Sequence, residues 1–319
     1  MALSETTPFE YSTIGVSPYL RQYMERKMLK EMYPNLVHLK DSNDFTLPRG
    51  NGRVIEWRRR SRIAVSAAST YQLTEGVTPD PLTRATEEVK ATTYNFGGFF
   101  PTTDVAEIQS LDPTDVLDLE NLSKFISEVD DIYVRDIIVA GTNVIYAAGR
   151  ANRAAITSAD VLTDAEIKKA RVTLENASVP KFPDGTYHCI VPTRTMYDLM
   201  STDGWKFTGY YQRADDIAKG RVGQLYGITF MESPITKYYD NAGSGSIDVE
   251  ASLFYGPDAF GTPKITELSL AFINKPLGSA GAADPLNQRG SRGTKNNLGA
   301  AILDQRRIVR VEHAATVTR

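Results

Sequence analysis

The chain has 319 residues, of which 41% are hydrophobic and 24% are charged, and this composition is typical of a globular protein with a sizeable core. Aspartate and glutamate (39) slightly outnumber lysine and arginine (36), which argues against a protein whose main role is to bind polyphosphate. The single cysteine, Cys189, excludes an intrachain disulfide framework and a thiolate cluster for zinc or iron–sulfur. We therefore expect a protein made and used in reducing cytoplasm.

The first residues lack the basic and apolar regions of a signal peptide, and no run of about 18 apolar residues occurs. We expect a chain that is neither secreted nor membrane-spanning, with an extended arm over residues 1–17. From Pro18, apolar side chains at helical spacing predict a short amphipathic helix that ends before Pro34. These side chains are Leu20, Tyr23, Met24, Met28 and Met32.

Residues 53–63, RVIEWRRRSRI, alternate as a β-strand does. One face is apolar except for Arg59, and the other is charged. The apolar face carries Ile55, Trp57 and Ile63, and the charged face carries Glu56, Arg58, Arg60 and Arg62. After a polar stretch, residues 87–100 resume β-branched and aromatic residues, so the two segments predict a long projecting hairpin with a wide tip.

The arginines beside a tryptophan are consistent with two kinds of partner. Guanidinium groups bind phosphate and an indole stacks on bases, which suits a nucleic-acid surface. However, Glu56 shares the arginine face, and Glu87 and Glu88 lie on the predicted return strand, where cross-strand pairing satisfies part of the charge. A mixed-charge surface suits a protein partner at least as well as DNA, because electrostatic complementarity sets register and partner choice.

Two helices have start signals in the sequence. Asp112-Pro113-Thr114-Asp115 combines a capping carboxylate with a proline suited to the first turn, and apolar residues then recur every three or four positions up to Gly149. This pattern predicts a spine-like helix of roughly 50 Å. Thr163 and Glu166 have the spacing of a capping box and predict a second helix that runs to about Ala177.

The remainder mixes helices and strands without regular alternation, which predicts an α+β fold. The predicted elements are a strand at 186–192, a helix at 193–202, a polar helix at 215–219, a strand at 228–233, short strands over 247–275, a loose stretch at 275–297 and a final strand pair at 299–317.

The residues that support catalysis in other proteins are sparse and badly spaced here. His188 and Cys189 are neighbours on a predicted strand, so their side chains point to opposite faces, which argues against a Cys–His dyad. The three histidines have no metal-binding spacing. The pairs Asp130-Asp131 and Asp215-Asp216 lie in helical sequence and are interpreted as solvated or salt-bridged faces. We predict no catalytic residue, cofactor site or metal site.

Four stretches resemble a known family when taken in order along the chain. They are VRDIIVAGTNVIYAAG (134–149), GTYHCIVPTRTMYDLMSTDGW (185–205), GRVGQLYGITFMESPIT (220–236) and NNLGAAILDQRRIVRVEHAA (296–315). The chain resembles tailed-bacteriophage major capsid proteins of the Hong Kong 97-type fold, in particular the podophage-type branch. The resemblance covers most of the chain.

This resemblance implies a division of the chain into the parts of a capsid subunit. The implied parts are an N-terminal arm (1–50), an E-loop hairpin (51–110), a peripheral domain with the spine helix (111–162), an axial domain (163–270) and peripheral return strands (271–319). The subunit would assemble with copies of itself into hexamers and pentamers and then into the icosahedral shell around double-stranded DNA. Such contacts are heterologous and close into rings.

The resemblance also implies partners and a location. Expected partners are a separate scaffolding protein, portal and decoration proteins and packaged DNA contacted non-specifically, with no membrane; the shell belongs to the virion and is assembled in the host cytoplasm. The residues expected at contacts between subunits are Ile55, Trp57, Arg58, Arg60, Arg62, Glu87 and Glu88. Two alternatives remain open: an encapsulin-like cellular compartment, and a cytoplasmic hydrolase that uses Cys189 or His188.

Overall fold

The structure is a computed structural model that describes most of the chain. The described residues are 36–63, 65, 67–109, 114–202, 223–268, 270–279, 281 and 284–317. Four sequence predictions lie outside them: the extended arm at 1–17, the helix from Pro18, the polar helix at 215–219, and the start signal at Asp112-Pro113.

Fourteen strands and four α-helices lie within the described residues. The helices are α1 (Asp104–Gln109), α2 (Thr114–Val139), α3 (Asp164–Asn176) and α4 (Thr193–Met200). The strands are β1 (Asn43–Leu47), β2 (Val54–Arg60), β3 (Thr86–Thr103), β4 (Val144–Tyr146), β5 (Tyr187–Pro192), β6 (Gln224–Leu225), β7 (Ile228–Ser233), β8 (Tyr238–Tyr239), β9 (Val249–Tyr255), β10 (Phe260–Ile265), β11 (Ala271–Lys275), β12 (Arg289–Gly299), β13 (Ala301–Ile302) and β14 (Ile308–His313).

The described strands form three sheets. The largest has seven strands in the order β4-β14-β9-β5-β7-β6, with β8 paired to β9. A four-stranded sheet in the order β11-β12-β3-β2 carries the hairpin, and a three-stranded sheet has the order β1-β10-β13. The parallel pairs are β1–β10, β4–β14 and β5–β7, and the other pairs are antiparallel. Mixed sheets of this kind with helices outside regular βαβ order form an α+β fold, as predicted.

The core lies on both faces of the seven-stranded sheet. Cys189 and Phe254 pack on the face that is covered by α3 and α4. Their strand neighbours Ile190 and Leu253 pack on the opposite face, against the end of α2 that contains Val134 and Ile138. This alternation is the period of two that a strand buried on both faces requires.

Several predicted elements are confirmed. β2 and β3 form the long hairpin, and β5, α4 and β7 lie where the sequence placed them. α3 begins at Asp164 and ends at Asn176, and the Glu166 carboxylate accepts a hydrogen bond from the Thr163 backbone N–H at 3.2 Å. The same carboxylate accepts from the Ala148 N–H at 3.2 Å, so the capping box also ties α3 to the chain before it.

The predicted length of the spine helix was wrong at its C-terminal end. α2 ends at Val139 and has 26 residues, so it is about 39 Å long rather than 50 Å. Val144–Tyr146 instead form β4, which pairs with β14. The Arg310 guanidinium of β14 donates to the carbonyls of Val139 and Gly141, where a helix leaves carbonyl groups without intrahelical partners.

Two predictions near the C-terminus were also wrong. The stretch interpreted as loose contains β12, an 11-residue strand with the sequence RGSRGTKNNLG that pairs with both β3 and β11. The final strand pair does not exist as a pair, because β13 joins β10 whereas β14 joins β9 and β4. The domain limits implied by the resemblance stay predictions; β14, expected among the peripheral strands, lies in the seven-stranded sheet.

Candidate intersubunit surface

The hairpin places the arginine-rich stretch opposite the two glutamates predicted to pair with it. In the β2–β3 register Arg58 faces Glu88 and Arg59 faces Glu87. Exposure alternates along β2, with Arg58 and Arg60 exposed and their neighbours half-buried. The predicted strand, its two faces and its cross-strand pairing are therefore confirmed, and the role of this surface in contacts between subunits stays a prediction.

The outer face of the hairpin is a network of alternating charges. Arg58 Nε donates to Glu56 Oε1 at 2.7 Å and lies 3.8 Å from Glu88 Oε1. Lys90 Nζ lies 3.5 Å from a carboxylate oxygen of each of these glutamates. The hydrogen bond from Arg58 lowers the pKa of Glu56 below its usual value. We call Glu56, Arg58, Glu88 and Lys90 the charge ladder.

Arg60 and Arg62 extend this face toward the tip of the hairpin. Both side chains are exposed, and neither makes an ion pair with another described residue. A guanidinium keeps its charge and its planar set of donors whatever the local environment. Arg60 and Arg62 are therefore available to a carboxylate or phosphate on a partner.

Arg59 interrupts the apolar face because it fastens the hairpin to the body of its own chain. Its guanidinium forms ion pairs with Glu87 on β3 and, at 2.5 Å, with Asp304 in the turn before β14. Ser61 also donates to Glu87, at 3.0 Å. The hydrogen bond from Arg59 lowers the pKa of Glu87. We call the contacts of Arg59 with Glu87 and Asp304 the hairpin clamp.

The apolar face of β2 is partly used inside the chain. Trp57 is half-buried against Phe45 of β1, with ring centroids 5.0 Å apart and planes tilted by 60°. Ile55 is half-buried and Ile63 is exposed. Ile55 and Trp57 are expected at contacts between subunits, but Trp57 already has an aromatic partner in its own chain. Ile63 is therefore the residue of this face with the most surface left for a neighbour.

The tip of the hairpin carries an apolar surface that the sequence reasoning did not single out. The exposed apolar side chains here are Val65, Tyr71, Leu73, Val77 and Leu82. Leu73 is the most exposed of them, at 76%. Five exposed apolar side chains within one segment of the chain favour association with another molecule, which would remove them from water. Their spacing in the sequence follows no helical or strand period, so periodicity alone did not reveal them.

The candidate catalytic residues lie in ordinary structural surroundings. Cys189 is fully buried, and burial raises the pKa of its thiol well above the usual value. His188 points away from it, and its ring nitrogens face Asp41 and Asp184 at 2.7 and 3.1 Å. His313 is buried, and its Nε2 lies 2.8 Å from the Ser252 hydroxyl.

The interpretation of Asp130-Asp131 as a solvated or salt-bridged face needs correction. Both residues are buried: Asp131 pairs with His38 at 2.7 Å, whereas Asp130 accepts a hydrogen bond from Asn296 and makes no ion pair with another described residue. β12, which the sequence did not predict, contacts Asp130, and the segment with His38 and Leu39 contacts Asp131. The second pair, Asp215-Asp216, lies outside the described residues. Among the described residues no group of three or more potential ligands could hold a metal ion.

No helix within the described residues has the length and hydropathy that a membrane span requires.

No protein-family model matches the sequence, and no curated protein matches it. Solved structures do match, and three of them are capsid chains of phages.

A capsid chain of cyanophage Pam1 aligns with 96% of this chain and 100% of its own length, with a TM-score of 0.73 and 12% identity. The capsid of Ralstonia phage GP4 aligns with 95% of this chain and 97% of its own, with a TM-score of 0.70 and 11% identity. The capsid of Helicobacter pylori bacteriophage KHP30 aligns with 96% and 99%, with a TM-score of 0.71 and 8% identity.

This chain has the fold of phage capsid proteins. The agreement spans nearly the whole of each chain, so it includes the hairpin and all three sheets rather than one shared subdomain. The fold class expected from the resemblance, the Hong Kong 97-type capsid fold, is confirmed. The low identities explain why comparison of sequences alone finds no match.

Proposed function

We propose that this chain is the major capsid protein of a tailed bacteriophage. Copies of it associate into hexamers and pentamers and then into the icosahedral shell that encloses the double-stranded DNA genome. The fold supports this proposal, since the matched chains over nearly their full lengths are described as capsids. The protein then acts by association, without a catalytic step, and its place is the virion, after assembly in the host cytoplasm.

The observation that carries the proposal is the projecting hairpin. Its tip exposes apolar side chains such as Leu73 and Val77, which an isolated subunit leaves in water. Burying apolar surface is worth about 25 cal/mol per Å², so a partner that covers the tip gains free energy. The part of the chain described by the structure shows no cover for this tip, and a second copy of the subunit is the partner that a shell supplies at every position.

The charges of the hairpin set how that copy docks. The charge ladder offers both signs in a fixed order, while Arg60 and Arg62 are free for acidic groups. Misaligned subunits would place like charges together, which opposes association. Ile55, Trp57, Arg58, Arg60, Arg62, Glu87 and Glu88 remain the proposed contact residues, and the division into arm, E-loop, peripheral and axial domains is part of the same proposal. Scaffolding, portal and decoration proteins and packaged DNA are the proposed further partners.

Electron microscopy of the full chain tests this function. We expect negative-stain images of the expressed protein, with and without a co-expressed scaffolding protein, to show closed shells or five- and six-membered rings. A stable monomer under every condition would overturn the proposal. Particles filled with a cargo protein instead of DNA would identify a cellular compartment with the same fold.

A further inference from the structure

Residues 36–42, which lead into β1, contact the body through two histidine–aspartate pairs. The segment supplies the histidine of one pair and the aspartate of the other. We call this segment the N-terminal tie. His38 belongs to the tie, and its Nδ1 lies 2.7 Å from Asp131 Oδ2 on α2. The backbone N–H of His38 donates to the other oxygen of Asp131 at 2.8 Å. Both side chains are fully buried, so this first anchor is out of reach of solvent.

The second anchor reverses the roles, because here the tie supplies the carboxylate. Asp41 Oδ2 lies 2.7 Å from His188 Nδ1 of β5 and accepts a hydrogen bond from the Tyr255 hydroxyl of β9 at 2.8 Å. On the other side of the ring, His188 Nε2 lies 3.1 Å from Asp184 Oδ2 in the turn before β5. Phe182 stacks on the ring, with centroids 3.9 Å apart and planes within 8°.

Both ring nitrogens of His188 therefore face carboxylate oxygens. Only the imidazolium donates at both positions, since a neutral ring keeps one N–H and turns a lone pair toward the other carboxylate. The charged and titratable groups that face this site are Asp41 and the nearby Lys40 from the tie, Asp184 from the turn and Tyr255 from the sheet, with the buried Cys189 beside Tyr255.

We propose that the N-terminal tie is a pH-controlled latch, in which loss of the proton from His188 releases Asp41 and the segment around it from the seven-stranded sheet. The His38–Asp131 pair on one side and the pairing of β1 with β10 on the other stay in place, so release opens the tie between them without detaching it. The inference rests only on contacts within one chain and does not depend on the proposed function.

The direction of the pH effect follows from the shifts at this site. Burial works to lower the pKa of His188, but the hydrogen bonds to Asp41 and Asp184 outweigh it and the pKa is raised above 6.5. The latch is therefore complete below about pH 6.5 and is lost as pH rises through the raised folded pKa. Burial works to raise the pKa of Asp41, but the hydrogen bonds from His188 and Tyr255 lower it below 3.8, so the aspartate opens the latch only in strong acid.

Hydrogen exchange followed by mass spectrometry tests the latch on the full chain in its native oligomeric state. Between pH 5.5 and 9, after correction for the intrinsic exchange rate, we expect peptides that cover residues 38–42 to lose protection about tenfold. H188Q should remove this dependence on pH. D184N, which takes away one of the two carboxylates, should move the midpoint down by about 0.5–1 pH unit.

E175Q provides the matched control, because Glu175 pairs with Arg171 and Lys181 on the surface of α3 and makes no contact with the tie. Its profile should match that of the unmodified chain. Constant protection of residues 38–42 across the pH range, or an unchanged midpoint in D184N, would overturn the latch. If H188Q does not fold, the midpoint of D184N decides. A failure to form shells would contradict the proposed function, but it would not change the pH dependence expected for residues 38–42.

Discussion

Asp130 on α2 directs its carboxylate at β12, where Asn296 donates a hydrogen bond to it. Its other oxygen has no hydrogen-bond partner among the described residues. Burial raises the pKa of Asp130 to about 6, although Asn296 and Lys264 act in the opposite direction. The spine helix therefore carries a buried carboxylate that is ionised at neutral pH at a cost in stability.

Replacing this residue, Asp130→Asn, should stabilise the chain above pH 6. An aspartate whose folded pKa exceeds its unfolded value of 3.8 binds a proton more readily in the folded state, so stability increases as pH falls from 6 to 4. An asparagine oxygen still accepts the bond from Asn296 and carries no charge. Chemical denaturation at pH 8 should show a gain of about 1–2 kcal/mol, and at pH 4 almost none.

Asp136, six residues further along α2, is the matched control. Burial works to raise its pKa, but hydrogen bonds from Arg135 and Lys237 lower it below 3.8. Asp136→Asn should therefore reduce stability at pH 8, and the loss should disappear toward pH 3. If both replacements had the same sign at pH 8, the proposed environment of Asp130 would be wrong.

At the scale of elements, two adjacent glycines in β3 control how closely the sheet packs. A Cβ at Gly97 would lie 2.6 Å from the Thr294 carbonyl oxygen of β12, a backbone atom that cannot move alone. A Cβ at Gly98 would lie 2.9 Å from the edge of the Phe125 ring, which is exposed enough to rotate away. Gly97→Ala should cost about 2 kcal/mol or more, and Gly98→Ala less than 1 kcal/mol. Thermal unfolding of the two variants measures the difference, and equal costs would contradict it.

The hairpin clamp should give a measurable coupling energy between Arg59 in the hairpin and Asp304 in the body of the chain. Arg59 is two-thirds buried and Asp304 nine-tenths buried, so their ion pair is less screened than those of the charge ladder. A double-mutant cycle with Arg59→Gln and Asp304→Asn should give a coupling energy of about 0.5–1 kcal/mol, because Asp304 keeps Arg306 and Arg307 as partners. Arg60→Gln with Asp304→Asn serves as the control cycle, and coupling of the same size in both cycles would exclude a specific clamp.

The elements that were predicted correctly from the sequence are those whose local sequence signals agree with their tertiary surroundings. The hairpin strand alternates, and α3 has its capping box. The end of α2 was missed because Val144 also continues the helical period, and only pairing with β14 makes it part of a strand. β12 was missed because glycine, lysine and asparagine have low strand propensity, and its stability comes from ladders with β3 and β11 on either side.

The candidate surface was predictable to a similar degree. Alternation and charge in the sequence predicted that the arginines of β2 pair with Glu87 and Glu88. The register of β2 and β3 places Arg58 opposite Glu88, as predicted. The partner of Arg59 was not predictable, because Asp304 lies more than 240 positions away in the sequence. The burial of Trp57 against Phe45 likewise depends on β1 lying beside the hairpin, a contact between segments that no local pattern encodes.

At the scale of the whole molecule, the charged side chains that pair within the chain and those proposed to pair between subunits lie on different parts of the subunit. The hairpin clamp and the N-terminal tie hold the subunit together through buried or half-buried partners. The charge ladder, Arg60 and Arg62 remain on the surface, where ion pairs add little to the stability of a subunit in water. Their alternating charges influence the free energy of association when a second subunit covers them. Removal of water then strengthens pairs of opposite charge and penalises pairs of like charge.

Reversing two of these charges, Arg58→Glu with Arg60→Glu, should therefore block assembly while the subunit still folds. The reversal places like charges beside Glu56 and Glu88 and removes the free guanidinium of Arg60. Gradient sedimentation and electron microscopy should show at least a tenfold loss of particles, with the unfolding temperature of the subunit within about 2 °C of the unmodified chain. Arg58→Lys with Arg60→Lys keeps the charges and should assemble. Normal particle yield from the reversed variant, together with weaker DNA binding whose salt dependence falls by about two charges, would instead assign this face to nucleic acid.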